Sequence, residues 1–109
     1  MSQPRKIDIA IIGAQKAGTT SLKSYLGEHP QVVTHPHIEF SFFADNDQFE
    51  LGYEKIFKKD FGSKHIEITH KVLAKNVTLS FREFALERLR LHNPDCKICL
   101  LYTSDAADE

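Results

Sequence analysis

Apolar and polar positions along the chain follow two different periods, and the two periods alternate. Short apolar or alternating runs predict strands at Ile7–Gly13, Gln31–Val33, His65–Thr69 and from Lys97 onward. The three-to-four-residue spacing of helices appears between them, over residues 19–30, 52–62 and 79–94. Strands that alternate with helices are typical of an α/β fold with a mostly parallel sheet.

Each predicted helix has one apolar face that should lie against the sheet. The inward positions are Leu22, Tyr25 and Leu26 in the first helix, Tyr53, Ile56 and Phe57 in the second, and Phe81, Phe84, Ala85 and Leu89 in the third. A Thr or Ser is expected to cap the first helix, and Gly27 with Pro30 is expected to end it.

Composition and charge narrow the class of protein. The 109 residues carry 14 Lys and Arg against 15 Asp and Glu, so we expect no nucleic-acid or anionic-membrane partner held mainly by electrostatics. No apolar run approaches the roughly 18 residues that a membrane span needs. The two cysteines provide no disulfide framework, which favours a reducing compartment. We therefore predict a soluble, cytoplasmic protein.

Two residue pairs have the spacing of metal or redox ligands. Cys96 and Cys99 form a CxxC pattern, but the surrounding residues predict a buried strand, in which positions three apart point to opposite faces. His35 and His37 flank a proline and have no third ligand at a usable spacing. The sequence therefore predicts no metal site.

The junction between the first strand and the first helix carries the most informative motif. Gly13 and Gly18 bound a loop at a helix start, where backbone N–H groups and the helix dipole converge on one point and favour an anion. The spacing is that of a nucleotide P-loop, but Thr19 stands where an ATP or GTP site needs lysine, and Lys16 comes earlier. A sequence of this kind fits a phosphate site, an atypical kinase or NTPase, or a turn without ligand.

Three longer segments resemble one known family. The run 11–32 (IIGAQKAGTTSLKSYLGEHPQV) is similar to the 5′-phosphosulfate-binding loop of sulfotransferases that use 3′-phosphoadenosine 5′-phosphosulfate (PAPS). The likeness is greatest to the heparan sulfate sulfotransferases and their bacterial relatives. The run 37–43 (HIEFSFF) resembles the Lys-Glu-x-x-Phe-Phe segment of that branch, and the run 85–98 resembles the helix and strand that precede its 3′-phosphate motif.

The resemblance implies a fold, a reaction and a set of site residues. The fold would be a P-loop-like three-layer α/β domain, cut after about four strands. The reaction would move a sulfuryl group from PAPS to a hydroxyl or amine acceptor, such as a glycan or lipid, without a metal. Lys16 and Glu39 would be catalytic, with Glu39 as the base. The donor would be bound by Gln15, Lys16, Ala17, Gly18, Thr19, Thr20 and Ser21.

The sequence also departs from the family pattern. Ile38 replaces the lysine that usually precedes the glutamate, and the run 65–73 only loosely resembles the family's Gly-Glu-Lys-Thr-Pro stretch, so Lys71 receives no role. The Arg and Ser that hold the 3′-phosphate would follow Ile98, where they are absent. A small nucleotide kinase or an inactive fragment that binds only anions remains an alternative.

The C-terminal segment CLLYTSDAADE resembles a translated sequencing adapter. Over residues 99–109 it reads back, in one open frame, as the transposase-type adapter used in library preparation. We therefore expect residues 1–98 to be the N-terminal part of a sulfotransferase domain and residues 99–109 to be an adapter-derived tail.

Overall fold

One parallel sheet organises the part of the chain that the computed structural model describes, which is residues 5–14, 18–62 and 66–101. Its strands are β1 (Ile9–Gly13), β2 (Val32–Thr34), β3 (Lys71–Lys75) and β4 (Lys97–Leu100). The order across the sheet is β2-β3-β1-β4, and every neighbouring pair is parallel. The predicted α/β class with a parallel sheet is confirmed.

The connections between strands are helical and cover both faces of the sheet. They are α1 (Thr19–Gly27), α2 (Asn46–Leu51), α3 (Tyr53–Phe61), a 3₁₀ turn (Val77–Ser80) and α4 (Glu83–His92). The chain crosses the sheet in one direction from β1 to β2 and returns in the other direction to β3 and β4. Because such crossovers are right-handed, α1 lies on one face and the later helices lie on the opposite face.

The main core fills the space between the sheet and the later helices. Ala10, Ile12 and Ala74 contribute from the strands, and side chains of alternating direction place Ile11, Leu73 and Lys75 on the α1 face. The helical and loop members of the core are Ile7, Phe40, Phe42, Phe43, Ile56, Phe57, Phe61, Leu79, Ala85 and Leu89. The predicted inward face of α3 is thus confirmed for Ile56 and Phe57.

The third strand lies later in the sequence than its pattern predicted. Residues 66–69, expected in a strand, precede β3 as an irregular segment and a turn, in which Ile68 is 90% exposed. The His70 ring closes this turn by accepting a hydrogen bond from the Glu67 N–H at 2.6 Å. The strand is instead the run KVLAK, which lies between β1 and β2 and is therefore apolar at Val72, Leu73 and Ala74 on both faces.

The buried faces of two helices are rotated relative to the predicted ones. Phe81 and Phe84 are exposed, because α4 begins only at Glu83, after the 3₁₀ turn, and its inward face is Ala85 and Leu89. In α1, Tyr25 is 74% exposed, and Thr19 and Lys23 are the buried pair one turn apart. The difference in α4 follows from where that helix starts, which apolar spacing alone does not specify.

One short helix in the described chain was not predicted. α2 is six residues long, and the Asp45 side chain caps it by accepting hydrogen bonds from the backbone N–H groups of Asp47 and Gln48. Asp is among the preferred N-cap residues, so the signal was present at Asp45 but lay in a segment without helical apolar spacing.

The predicted buried strand at the two cysteines is only partly buried. β4 pairs with β1 at the edge of the described sheet, and Lys97, Ile98 and Leu100 are exposed. Cys96 and Cys99 are both free thiols, and burial raises the pKa of Cys96 to about 11. A thiol with a raised pKa is a poor nucleophile at neutral pH, which does not favour redox chemistry at this pair.

Acid is expected to destabilise the fold through His92. Its Nε2 accepts a hydrogen bond from the Ile7 N–H at 3.0 Å, and burial, with a smaller effect of Lys6, lowers its pKa to about 4. The unfolded chain, with a histidine pKa near 6.5, therefore binds more protons between about pH 6.5 and 4, and stability falls as the pH falls through that window.

The variant His92→Gln tests this dependence, because a glutamine oxygen can still accept from Ile7. Urea unfolding followed between pH 7 and 4.5 is expected to show a slope smaller than that of the wild type by up to about 1.4 kcal/mol per pH unit. Identical slopes in the two proteins would contradict a neutral, buried His92.

Candidate functional site

The loop after β1 delivers the chain to the N-terminus of α1. Gly18 is the N-cap, with a left-handed backbone (φ 85°), and the helix closes with a hydrogen bond from the Leu22 N–H to the Gly18 carbonyl. The expected Thr or Ser cap is wrong, because the N-cap is Gly18, which has no side chain, and the first turn holds no acidic residue. The N–H groups of that turn and the positive end of its dipole therefore face the loop, as an anion site requires.

The predicted donor-binding residues divide between described and undescribed parts of the loop. Gln15, Lys16 and Ala17 lie outside the described residues. Gly18, Thr19, Thr20 and Ser21 form the start of α1, where the Thr19 side chain is buried and those of Thr20 and Ser21 are exposed. The structure thus brings the four described members together at one helix end.

The end of β3 lies directly beside the strand that feeds this loop. In the register of the sheet, Lys75 pairs with Ile11, two residues before Gly13. The next residue, Asn76, donates its backbone N–H to the Ile11 carbonyl at 2.9 Å. Because the strands are parallel, their carboxyl ends meet at one edge of the sheet, which is where open α/β sheets bind ligands.

A buried lysine and a glutamate are paired at this edge. Lys75 is 2% exposed, and its Nζ donates to Oε2 of Glu39, which is 30% exposed. The other carboxylate oxygen, Oε1, accepts the backbone N–H of Val77 at 3.0 Å. The pair therefore places one cation and one proton acceptor in contact with each other, next to the end of β1.

The segment that carries Glu39 is fixed to β3 by backbone hydrogen bonds. The Phe40 N–H donates to the Lys75 carbonyl at 2.8 Å, and the Asn76 side-chain amide donates to the Phe40 carbonyl at 3.1 Å. The fully buried Phe40 ring contacts the rings of Phe42, Phe43 and Phe61. The aromatic run after Glu39 thus anchors the core while Glu39 itself stays at the edge.

Lys75 and Asn76 are candidate site residues that were not predicted from the sequence. Lys71, which received no role from the sequence, is exposed and begins β3 at the opposite end of the strand. The signal was available in the run KVLAKN, since a polar pair that follows a buried strand lies at the carboxyl edge. The strand assignment at 65–69 concealed that signal.

Comparison with known proteins supports the same fold. Neither a protein-family model nor a curated protein matches the sequence. Among solved structures, a sulfotransferase from Alicyclobacillus acidocaldarius matches with a TM-score of 0.69 and 25% sequence identity, over 88% of this chain. The fold is similar to that of a sulfotransferase. This chain spans 44% of the length of that neighbour.

Two further findings concern the described residues as a whole. Over residues 5–14, 18–62 and 66–101, no group of three or more His, Cys, Asp or Glu side chains is placed to hold a metal ion. Within the same part of the chain, no helix has the length and apolar character to cross a bilayer.

Proposed function

We propose that this chain is the N-terminal part of a sulfotransferase that moves a sulfuryl group from PAPS to a hydroxyl or amine acceptor. The observation that carries the proposal is the pair of buried Lys75 and Glu39 at the carboxyl edge of the sheet, beside the end of β1, the strand that leads to Gly18 and α1. The similarity of the fold to a sulfotransferase supports it. When bound, PAPS supplies the sulfuryl group and a phosphate leaving group.

The described residues fit the anionic donor. The first turn of α1 offers backbone N–H groups, its N-cap Gly18 has no side chain to accept from them, and the hydroxyls of Thr20 and Ser21 are exposed beside them. Lys16 would add a cation from within the loop. Helix N-termini with such loops bind phosphate through these N–H groups, so we assign the 5′-phosphate of the donor to Gly18–Ser21.

Lys75 and Glu39 would serve the two charge changes of the reaction. Negative charge grows on the oxygen that leaves with the phosphate, and the acceptor must lose a proton as its oxygen or nitrogen bonds to sulfur. Lys75 with Lys16 would stabilise the growing charge, and Glu39 would take the proton. Glu39 is suited to this role because its carboxylate is partly exposed at the edge of the sheet.

The kinase alternative requires a different loop. An ATP site binds the terminal phosphates with a lysine directly after the second glycine and coordinates Mg²⁺ with the hydroxyl of the next residue. Here Thr19 occupies the lysine position, and its side chain is buried.

A cytoplasmic location is part of the proposal, and the two free thiols fit its reducing conditions.

Titration of the backbone amides of a longer chain that includes the 3′-phosphate motif tests the proposal, because the Arg and Ser that hold that phosphate are absent after Ile98 here. Adenosine 3′,5′-bisphosphate is expected to shift the Gly18, Thr19 and Thr20 amide resonances at lower concentration than ATP with Mg²⁺ does. Replacing Lys16 with alanine is expected to weaken the bisphosphate by about 10-fold, through loss of a charge-assisted hydrogen bond. The matched control is Lys55→Ala, in the exposed part of α3.

The same titration separates the alternatives. A stronger response to ATP with Mg²⁺ would support the kinase interpretation. An equal response to inorganic sulfate and to the bisphosphate would support a site that binds only simple anions. Either result would contradict the proposed donor.

A further inference from the structure

A histidine that has no part in the proposed reaction contacts the backbone of Lys75, one member of the Lys75–Glu39 pair. His35 follows β2 and its side chain is fully buried. Its ring packs against the rings of Phe40 and Phe61, each at 5.7 Å between centroids. Histidine is seldom buried without partners, so both ring nitrogens need an explanation.

Both nitrogens have backbone partners, and the partners define the tautomer. Nε2 lies 3.1 Å from the backbone nitrogen of Lys75, whose N–H can only donate. Nε2 must therefore carry the lone pair, and the proton must be on Nδ1. Nδ1 lies 2.7 Å from the carbonyl oxygen of His37, which can only accept, so the assignment is consistent at both ends.

Charged groups around the ring favour the neutral form. Lys23 on α1, Lys75 on β3 and His37 in the following loop all face it from the packed elements. Burial first, and then the Lys23 charge, lower the pKa of His35 to about 3. A proton added at Nε2 would also oppose the Lys75 N–H. The ring thus remains a fixed donor at one nitrogen and acceptor at the other.

The two partners of this ring belong to the two chain segments that supply the ion pair. Lys75 is one member of the pair, and His37 lies two residues before Glu39. We infer that His35 is a positioning residue, whose neutral ring joins the end of β3 to the Glu39 segment and holds the Lys75–Glu39 pair in register. The inference rests on the proposed function for its consequence in catalysis.

The first test is spectroscopic and uses the wild-type chain. Long-range ¹⁵N–¹H spectra of the histidine rings distinguish the two neutral tautomers and the charged form. His35 is expected to show the neutral form with the proton on Nδ1 from pH 7 to pH 5. A proton on Nε2, or a charged ring at pH 6, would overturn the inference.

The second test measures amide exchange in variants of His35. The Val77 N–H bonds to Glu39 and not to His35, so it reports the position of the carboxylate. In His35→Leu the Val77 amide is expected to exchange at least about 10-fold faster. The Val72 N–H, which donates to the Asp8 carboxylate near the other end of β3, should change its exchange rate by less than about 3-fold. Equal acceleration of both amides would indicate general destabilisation and overturn the inference, as would no change at Val77.

Two conservative variants keep the test decisive if His35→Leu does not fold. His35→Gln puts an amide oxygen near the Nε2 position, where it can accept from Lys75, and His35→Asn puts an amide nitrogen near Nδ1, where it can donate to His37. In each variant the Val77 amide is expected to exchange more slowly than in His35→Leu. If His35→Leu is unfolded, each conservative variant is expected to fold, with a Val77 exchange rate between that of the wild type and that of an unprotected amide. The control His37→Ala keeps the carbonyl and should match the wild type. If neither variant protects Val77 while both fold, a ring held only by packing would be the better explanation.

These measurements need no donor. The bisphosphate titration can therefore fail while the positioning role stands, and the tautomer or exchange result can fail while donor binding stands.

Discussion

Replacing Lys75 with methionine is expected to lower the free energy of unfolding by about 3 kcal/mol, because it leaves the Glu39 carboxylate without its buried partner. Methionine keeps most of the apolar length of the lysine, so the loss of stability reflects removal of the charge more than a change in packing. The estimate is at the low end for a broken buried pair, since Glu39 is 30% exposed. Urea unfolding followed by circular dichroism measures the change.

A second lysine–glutamate pair in the same protein is the matched control. Lys58 and Glu54 lie one helical turn apart on α3, with Nζ and Oε2 separated by 3.4 Å and both side chains mostly exposed. Lys58→Met is expected to change stability by less than about 0.5 kcal/mol. A similar loss from both methionine variants would mean that burial of Lys75 has no special consequence.

A double-mutant cycle isolates the interaction itself. Glu39→Gln alone leaves the buried Lys75 ammonium without a carboxylate. It is expected to lower the free energy of unfolding by as much as Lys75→Met does. The double variant should cost less than the two single changes together, by about 1–3 kcal/mol. Additive losses would contradict direct coupling between Glu39 and Lys75.

Replacing Gly13 with alanine is expected to lower the free energy of unfolding by about 2–4 kcal/mol, because the added Cβ collides with Ser80 and the backbone at position 13 becomes strained. An added Cβ would lie 2.8 Å from Ser80 Oγ and 2.9 Å from Ser80 Cβ, and the Gly13 φ of 150° is one that residues with side chains rarely adopt. The Ser80 Cβ cannot rotate away, because it is attached directly to the 3₁₀ turn. Gly13 therefore allows that turn to approach the end of β1. Thermal unfolding measures the loss.

Two further variants separate the collision from the strain. Combining Gly13→Ala with Ser80→Gly removes the collision and is expected to leave only the backbone cost, about 1 kcal/mol relative to Ser80→Gly alone. Gly18→Ala is the control for a positive φ without a collision, because a Cβ added at Gly18 would meet no atom within 4 Å. If Gly18→Ala cost as much as Gly13→Ala, close approach of Ser80 would not explain the effect.

The fold class, and the places of Gly13 at the end of β1 and Gly18 at the start of α1, could be predicted from the sequence because their signals are local. A strand buried on both faces is apolar along its length, as in Ile9–Gly13, and the glycines that bound the loop are needed for backbone geometry within a few residues of themselves. The resemblance to sulfotransferases depends on the same segment, and the fold comparison supports it. The roles assigned to Lys16 and to the tail 99–109 stay predictions, although Cys99 and Leu100 belong to β4.

The position of β3 was not predicted correctly, because two neighbouring segments both have a pattern that a strand can have. Residues 65–69 alternate in polarity as an exposed strand does, whereas KVLAK has lysine at both ends. The central place between β1 and β2 requires a segment that is apolar on both faces, and only the second satisfies that requirement. Burial of the terminal Lys75 becomes understandable only when Glu39 is beside it.

The sequence by itself determined the alternation of strands and helices, the glycine loop and the presence of Glu39 next to an aromatic anchor, because each depends on residues adjacent in the chain. The tertiary structure decided which lysine meets Glu39, since Lys75 is 36 positions away and reaches it only through the parallel pairing of β3 with β1 and β2. It also decided the surroundings of His35, whose partner Lys75 is 40 positions away. Contacts of that kind are set by strand order and register, and a single sequence contains no local pattern that specifies either.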